Sequence, residues 1–196
     1  LAANHLDDVK VRINQWAPGG EWSRWHRNRS IGFGWKYTFG VLDMLFYTLL
    51  PGRIFGGDNY NPYSDTINIY SDHEAVAIHE GGHAKDFAAR TYKGTYATLY
   101  MLPFFALYPE AIASGDAISY MKECGTAEEE KRAFCILYPA YFTYIGGNVT
   151  SYVLPYDWIY FALVVPGHVA GRVKAAHVDE DRQKRKNKGP EDTRNK

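Results

Sequence analysis

The chain is poor in cysteine and has no surplus of either charge. Only two cysteines, Cys124 and Cys135, occur in 196 residues, too few for the disulfide framework of a small secreted domain. They flank a segment with no C-x-x-C spacing and no neighbouring histidine, so spacing does not make them zinc ligands. Two free buried thiols are expected, with a disulfide in an oxidising compartment as the alternative. Lys and Arg together number 22, and so do Asp and Glu. That balance offers nucleic acid no basic field and lacks the acidic excess of a solvating, disordered chain. Internal repeats, a phosphate-cradling glycine loop and a serine-nucleophile elbow are also missing.

Long apolar runs are scarce as well. Val41 to Leu50 is stopped by Pro51 and Gly52, too short to span a bilayer, and reads as a buried or interfacial helix. Residues 134–156 are uncharged over more than the roughly 18 residues a spanning helix needs. Their Tyr, Gly, Asn, Thr and Pro content, Asp157 just beyond, and a mean hydropathy of -0.38 weigh against spanning. Monotopic membrane contact is the stronger form of membrane association, and a buried helical subdomain is the alternative.

Aromatic residues are abundant: 16 Tyr, 10 Phe and 5 Trp, which suit a core or an interface at a wet or membrane boundary. Residues 1–30 read as a polar N-terminal arm ending in the basic and aromatic stretch Trp22 to Arg29, either folded onto the domain or touching lipid headgroups. Residues 31–171 read as a single domain, and residues 172–196, rich in charge, as a disordered tail. The chain opens on Leu1 and not Met, so it reads as either a processed or a recombinant product, and localisation is unknown, with membrane-associated and secreted or periplasmic both allowed.

The most informative stretch is His79-Glu80-Gly81-Gly82-His83, an H-E-x-x-H sequence in a helical context. Residues four apart share a helix face, so His79 and His83 can offer both imidazoles to one metal ion. Glu80 can then reach a water at the open position of a three-ligand centre and act as general base and acid. Ser71 and Glu74 have capping-box spacing for the start of this helix, and Gly94 is the expected stop. Thr66 to Tyr70 alternates as a strand does, serving either as an edge for an extended substrate or as a cover for the helix. Gly81 and Gly82 each cost roughly 1 kcal/mol within a helix, a cost consistent with close approach of another backbone or of substrate.

Asp86 and Ala89 stand where an H-E-x-x-H-x-x-G-x-x-H pattern needs Gly and His, so the third ligand must be a downstream carboxylate. Glu110 is the best candidate because it opens a second helix with Pro109 at its start; Asp116 and Glu123 are the reserves. On these residues, over about positions 65–120, the chain resembles the gluzincin zinc peptidases. The resemblance implies Zn2+ held by His79, His83 and Glu110, with Glu80 as general base in peptide-bond hydrolysis. H-E-x-G-H followed by E-x-x-A is most similar to the CaaX-type prenyl proteases and the related bacterial heat-shock proteases. Those families carry Asp directly after E-x-x-A; this chain has Ser114 there and its acid two residues later, making Asp116 the candidate to orient a ligand from behind.

Peptidases of this kind also need a donor for the tetrahedral oxyanion. His168 is the leading candidate, beside Tyr120, Tyr144, Tyr152 and Tyr156. The expected fold is α+β, mainly helical and zincin-like, with a short sheet ahead of the motif helix and a helical C-terminal half. The expected partner is a peptide or protein substrate, not nucleic acid, with oligomeric state open. Two other readings stand beside the zinc metallopeptidase. One is a structural or regulatory zinc module closed by His73 or Asp86; the other is a membrane-surface binding protein with a degenerate motif.

Overall fold

A computed structural model of the protein describes residues 4, 6–55, 57–100, 102, 104–153 and 155–188. The elements in chain order begin with β1 (Lys10–Ile13), α1 (Pro18–Arg27), α2 (Phe33–Trp35), a π-helical turn (Lys36–Gly40), α3 (Val41–Leu49) and α4 (Gly52–Phe55). There follow β2 (Asn59–Asn61), β3 (Thr66–Ile69), α5 (Glu74–Ala88), α6 (Lys93–Leu99), α7 (Leu107–Cys124), α8 (Ala127–Tyr152), α9 (Asp157–Ala176) and α10 (Val178–Lys188). The fold is mainly helical α+β with one small sheet. It divides into two units, Leu1–Ala117 and Ile118–Lys196.

In the first unit the β-branched alternation of Thr66 to Ile69 makes β3 a strand, but a central one. β1 pairs with it in parallel, Lys10 opposite Thr66 and Ile13 opposite Ile69. β2 pairs antiparallel on the other side, Asn59 opposite Asn68 and Asn61 opposite Thr66. With a neighbour on each side, β3 has no free edge for a substrate, which corrects that expectation. Ile67 and Ile69 pack with Leu6 and with Ala84 of α5, so the motif helix lies against one face of the sheet.

Residues 6–30 are built into this unit and are not a solvated arm. Glu21 is fully buried and accepts a 2.5 Å bond from Arg12 Nε. Trp25 packs with Ile31, Met44, Tyr63, Phe87 and Tyr96 in the main aromatic core. Lys36 is buried with its ammonium 5.0 Å from the centre of the Trp25 ring, donating to the carbonyls of His26 and Asn28.

The start of α5 differs from the capping box expected at Ser71. His73 is the cap residue and no side chain caps it. Asp58 provides the reason: its carboxylate already accepts from the Ser71 N–H at 3.0 Å and from the Tyr70 N–H, taking the donor Glu74 would have served. Gly94 does not end α5 but lies within α6, where a Cβ would run into the Trp35 ring.

In the second unit Thr126 and Glu129 form the expected capping box at the start of α8. α9 folds back on α8 along a face of small residues: a Cβ on Gly167 would strike Phe142, and one on Gly171 would stand 2.5 Å from the Phe134 carbonyl oxygen. Residues 172–188, expected to be disordered, are helical. Val178 is buried with Phe134 and Ala175, and Arg182 donates to Glu130 and to the carbonyls of Met121, Gly125 and Thr126, which end α7 and begin α8. Residues 189–196 lie outside the described residues. Cys124 and Cys135 are free thiols and, contrary to expectation, exposed. Among the described residues no helix is long and apolar enough to cross a membrane.

Candidate metal centre

The site begins at a helix crossing in the first unit. A Cβ on Gly82 would lie 2.9 Å from Ala113 Cα, so α5 and α7 meet backbone to backbone where Gly82 has no side chain. On α7, Glu110 and Ser114 lie on one face, one turn apart, beside Ala113. His79 and His83, one turn apart on α5, face them. All four of His79, Glu80, His83 and Glu110 are buried.

The three donor groups converge. His79 Nε2 and His83 Nε2 are 3.1 Å apart. Glu110 places one oxygen 3.1 Å from His79 Nε2 and the other 3.3 Å from His83 Nε2. A tetrahedral centre with bonds of about 2.0 Å has edges of about 3.3 Å, so these separations suit a small divalent ion. Among the described residues this is the one group of three or more His, Cys, Asp or Glu side chains that could hold a metal ion.

Each imidazole is held from behind. Ser114 Oγ is 3.3 Å from His79 Nδ1, and Tyr100 Oη is 3.3 Å from His83 Nδ1. With an ion bound, a hydroxyl accepting the Nδ1 proton would leave each Nε2 lone pair to the ion, the arrangement ligating histidines adopt; in the metal-free chain the protonated rings donate from Nε2 to Glu110 instead. Burial, followed by the charges of Tyr96 and Glu110, raises the Tyr100 pKa, so this hydroxyl stays a neutral phenol.

The two carboxyl groups of the site are driven apart. Burial dominates at Glu80 and pushes its pKa up to about 7, reinforced by Glu110 and opposed by His79 and a hydrogen bond from the Tyr60 backbone N–H. At Glu110 burial also opposes ionisation, but the hydrogen bonds and charges of His79 and His83 outweigh it and hold the group at about 2. One carboxyl is therefore fixed as an anion between two imidazoles, and its neighbour is poised to exchange a proton near neutrality.

The remaining candidates lie elsewhere. Asp116 pairs with Lys85 at 2.8 Å, and it is Ser114 that stands behind His79. Asp86 accepts from Tyr96 Oη at 2.5 Å and pairs with Arg90, whose guanidinium lies 4.5 Å from the centre of the Tyr96 ring. That engagement and the exposure of His73 at the α5 cap take both out of the donor set as suspected fourth ligands. Glu123 is exposed on α7 in the second unit. His168 is exposed on α9, and Tyr120, Tyr144, Tyr152 and Tyr156 are exposed in the same unit.

No family model, no curated protein and no solved structure matches this chain. The site stands on its own geometry. Sequence reasoning missed three of its parts: Ser114, Tyr100 and the Tyr60 N–H. Ser114 carried a signal, because it lies four residues after Glu110 on the same helix face. Tyr100, 17 residues beyond His83 and outside α5, carried none.

Proposed function

We propose that the chain is a zinc-dependent peptidase of gluzincin type, with His79, His83 and Glu110 as the ligands and Glu80 as general base and acid. The observation that carries this reading is the combination of three buried donors at tetrahedral spacing with an adjacent buried carboxyl and, among the described residues, no fourth protein donor. Two nitrogens and one carboxylate oxygen, with an open position, are the donor set of catalytic zinc centres. A structural centre would normally be closed by a fourth side chain, and neither His73 nor Asp86 is in the donor set. The zincin-like character of the fold belongs to the same proposal: a small sheet packed on the motif helix, followed by a helix supplying the glutamate.

Zinc, when bound, supplies Lewis acidity, which makes water more acidic and polarises a peptide carbonyl. Glu80 follows a ligand directly on α5, and burial holds its pKa at about 7, so near neutral pH it can take a proton and give it back. The water oxygen adds to the scissile carbonyl carbon and the water proton passes to Glu80. As the C–N bond breaks, Glu80 returns that proton to the leaving nitrogen, giving an amine and a carboxylic acid; the acid's remaining water proton then passes to the amine, leaving a carboxylate and an ammonium group. Glu110 cannot share the task, because at about 2 it stays ionised. Ser114 and Tyr100 keep the imidazole rings in register.

Elemental analysis of purified protein beside His83→Ala tests the site. One zinc per chain, lost in the variant, is the expected result; no metal in the wild type after reconstitution overturns the reading. Glu80→Gln should retain zinc and lose peptide hydrolysis. Undiminished hydrolysis would remove Glu80 from the base role.

A further inference from the structure

α9 is apolar on two faces, and only one of them is packed. Its small-residue face, Gly167, Gly171 and Ala175, is the face that meets α8 and α10 in the second unit. The other carries Trp158, Phe161, Val165, Val169 and Val173, spaced by three or four residues and therefore one stripe along the helix. These five side chains are between 52 % and 69 % exposed. A helix apolar on both faces is ordinarily buried on both. An exposed continuous apolar stripe is an interaction surface.

Three observations identify its occupant. Trp158 begins the stripe, close in the chain to exposed Tyr152 at the end of α8 and exposed Tyr156 just before α9, and such amphipathic rings favour the boundary between acyl chains and water. At the other end stand Arg172 and Lys174, both exposed, with no carboxylate partner among the described residues. From Trp158 to Arg172 the helix rises about 21 Å, more than one leaflet of hydrocarbon and less than a bilayer. No described helix is long and apolar enough to cross a membrane, so the stripe is suited to lie along a membrane surface. We propose that α9 rests in the interface of an anionic lipid leaflet, with Trp158, Phe161, Val165, Val169 and Val173 among the acyl chains and Arg172 and Lys174 against the headgroups. The lipid chemistry required is an anionic glycerophospholipid surface.

The test is flotation of the full chain with vesicles of phosphatidylcholine alone and of phosphatidylcholine with about three-tenths phosphatidylglycerol. Wild type should float with the anionic vesicles, and binding should fall steeply with added salt. Val165→Ser with Val169→Ser should reduce binding about tenfold or more, and Arg172→Gln with Lys174→Gln severalfold. These side chains are exposed, so far-UV circular dichroism should be unchanged; Phe161→Ser alone serves if the serine pair misfolds. Three outcomes overturn the proposal. Wild type that binds neither vesicle is one. Binding retained in the α9 variants but lost on Leu45→Ser with Leu49→Ser would place the contact on the exposed stripe of α3 in the first unit. A concentration-dependent dimer in lipid-free solution, abolished by the α9 variants, would give the face to a second copy of the chain.

Discussion

Two helix crossings, one in each unit, bring backbones close together at a glycine. α5 meets α7 where a Cβ on Gly82 would stand 2.9 Å from Ala113 Cα; α9 meets α8 where a Cβ on Gly171 would stand 2.5 Å from the Phe134 carbonyl. The packing device is shared and the chemistry is not. Around the first crossing, buried His79, His83 and Glu110 turn their polar ends toward one another, with buried Glu80 next to His79 in the chain. Around the second, Phe134, Ala175 and Val178 make an apolar cluster, and further apolar side chains of α9 face outward. Close approach alone therefore makes no site. What distinguishes the first crossing is that the burial of Glu110 and of the two histidines is offset by specific partners, imidazole for carboxylate and hydroxyl for imidazole.

The sharpest way to break the contrast is to remove the proton carrier from the first crossing alone. Glu80→Gln should lower kcat/KM for peptide hydrolysis by about 10²–10⁴ at unchanged zinc content, read by steady-state kinetics beside elemental analysis. Stability of the metal-free protein supplies the next largest effect. Glu110, held at about 2, contributes stability that is full above the ordinary 4.5 and lost as pH falls toward 2. Glu80 acts in the opposite sense. Between 4.5 and about 7 the folded chain keeps a Glu80 proton that the unfolded chain has released, so this group removes about 3 kcal/mol as pH rises across that window. Urea denaturation of metal-free wild type and Glu80→Gln at several pH values should show a fall larger by that amount in the wild type; buried Asp43, raised to about 6, contributes a fall of the same sign to both.

Ser114→Ala takes the hydroxyl from behind His79, and zinc affinity measured against a competing chelator should drop about tenfold or more. Matched substitutions at the two crossings then test whether their geometry serves different ends. Gly82→Ala and Gly171→Ala each force a Cβ into backbone and should each cost about 1–2 kcal/mol in denaturant unfolding, the helix-propensity gain offsetting part of the clash. Only Gly82→Ala should also weaken zinc binding; equal weakening by both would remove the distinction. The smallest effect belongs to Asp116→Asn, which breaks a partly exposed pair with Lys85 and should leave stability within about 0.5 kcal/mol and zinc affinity unchanged.

What could be read from the chain follows the range of the interactions involved. The capping box at Thr126 and Glu129 is contained within four residues, and the structure has it. The same pattern at Ser71 and Glu74 failed because Asp58, 13 residues away, had already taken the Ser71 N–H. Thr66 to Ile69 could be read as a strand from its alternation, yet its central place depended on β1, more than 50 residues earlier, in a segment whose polar composition suggested an arm. Charge density in residues 172–188 pointed to disorder. Buried Val178 and the four bonds of Arg182 outweigh that, because a guanidinium shared among Glu130 and three carbonyls joins α10 to the ends of α7 and α8.

By itself the sequence determined the donors of α5. Two histidines four residues apart on a helix must share a face, and the glutamate after the first must lie beside it, because helix geometry is local. Which carboxylate stands opposite them, which hydroxyls hold their rings, and which way the pKa values of Glu80 and Glu110 move were decided by tertiary structure. Those properties depend on separations of a few ångströms between segments 17 to 35 residues apart. Such separations exist only once α5 and α7 have closed on Gly82 and water has left the space between them.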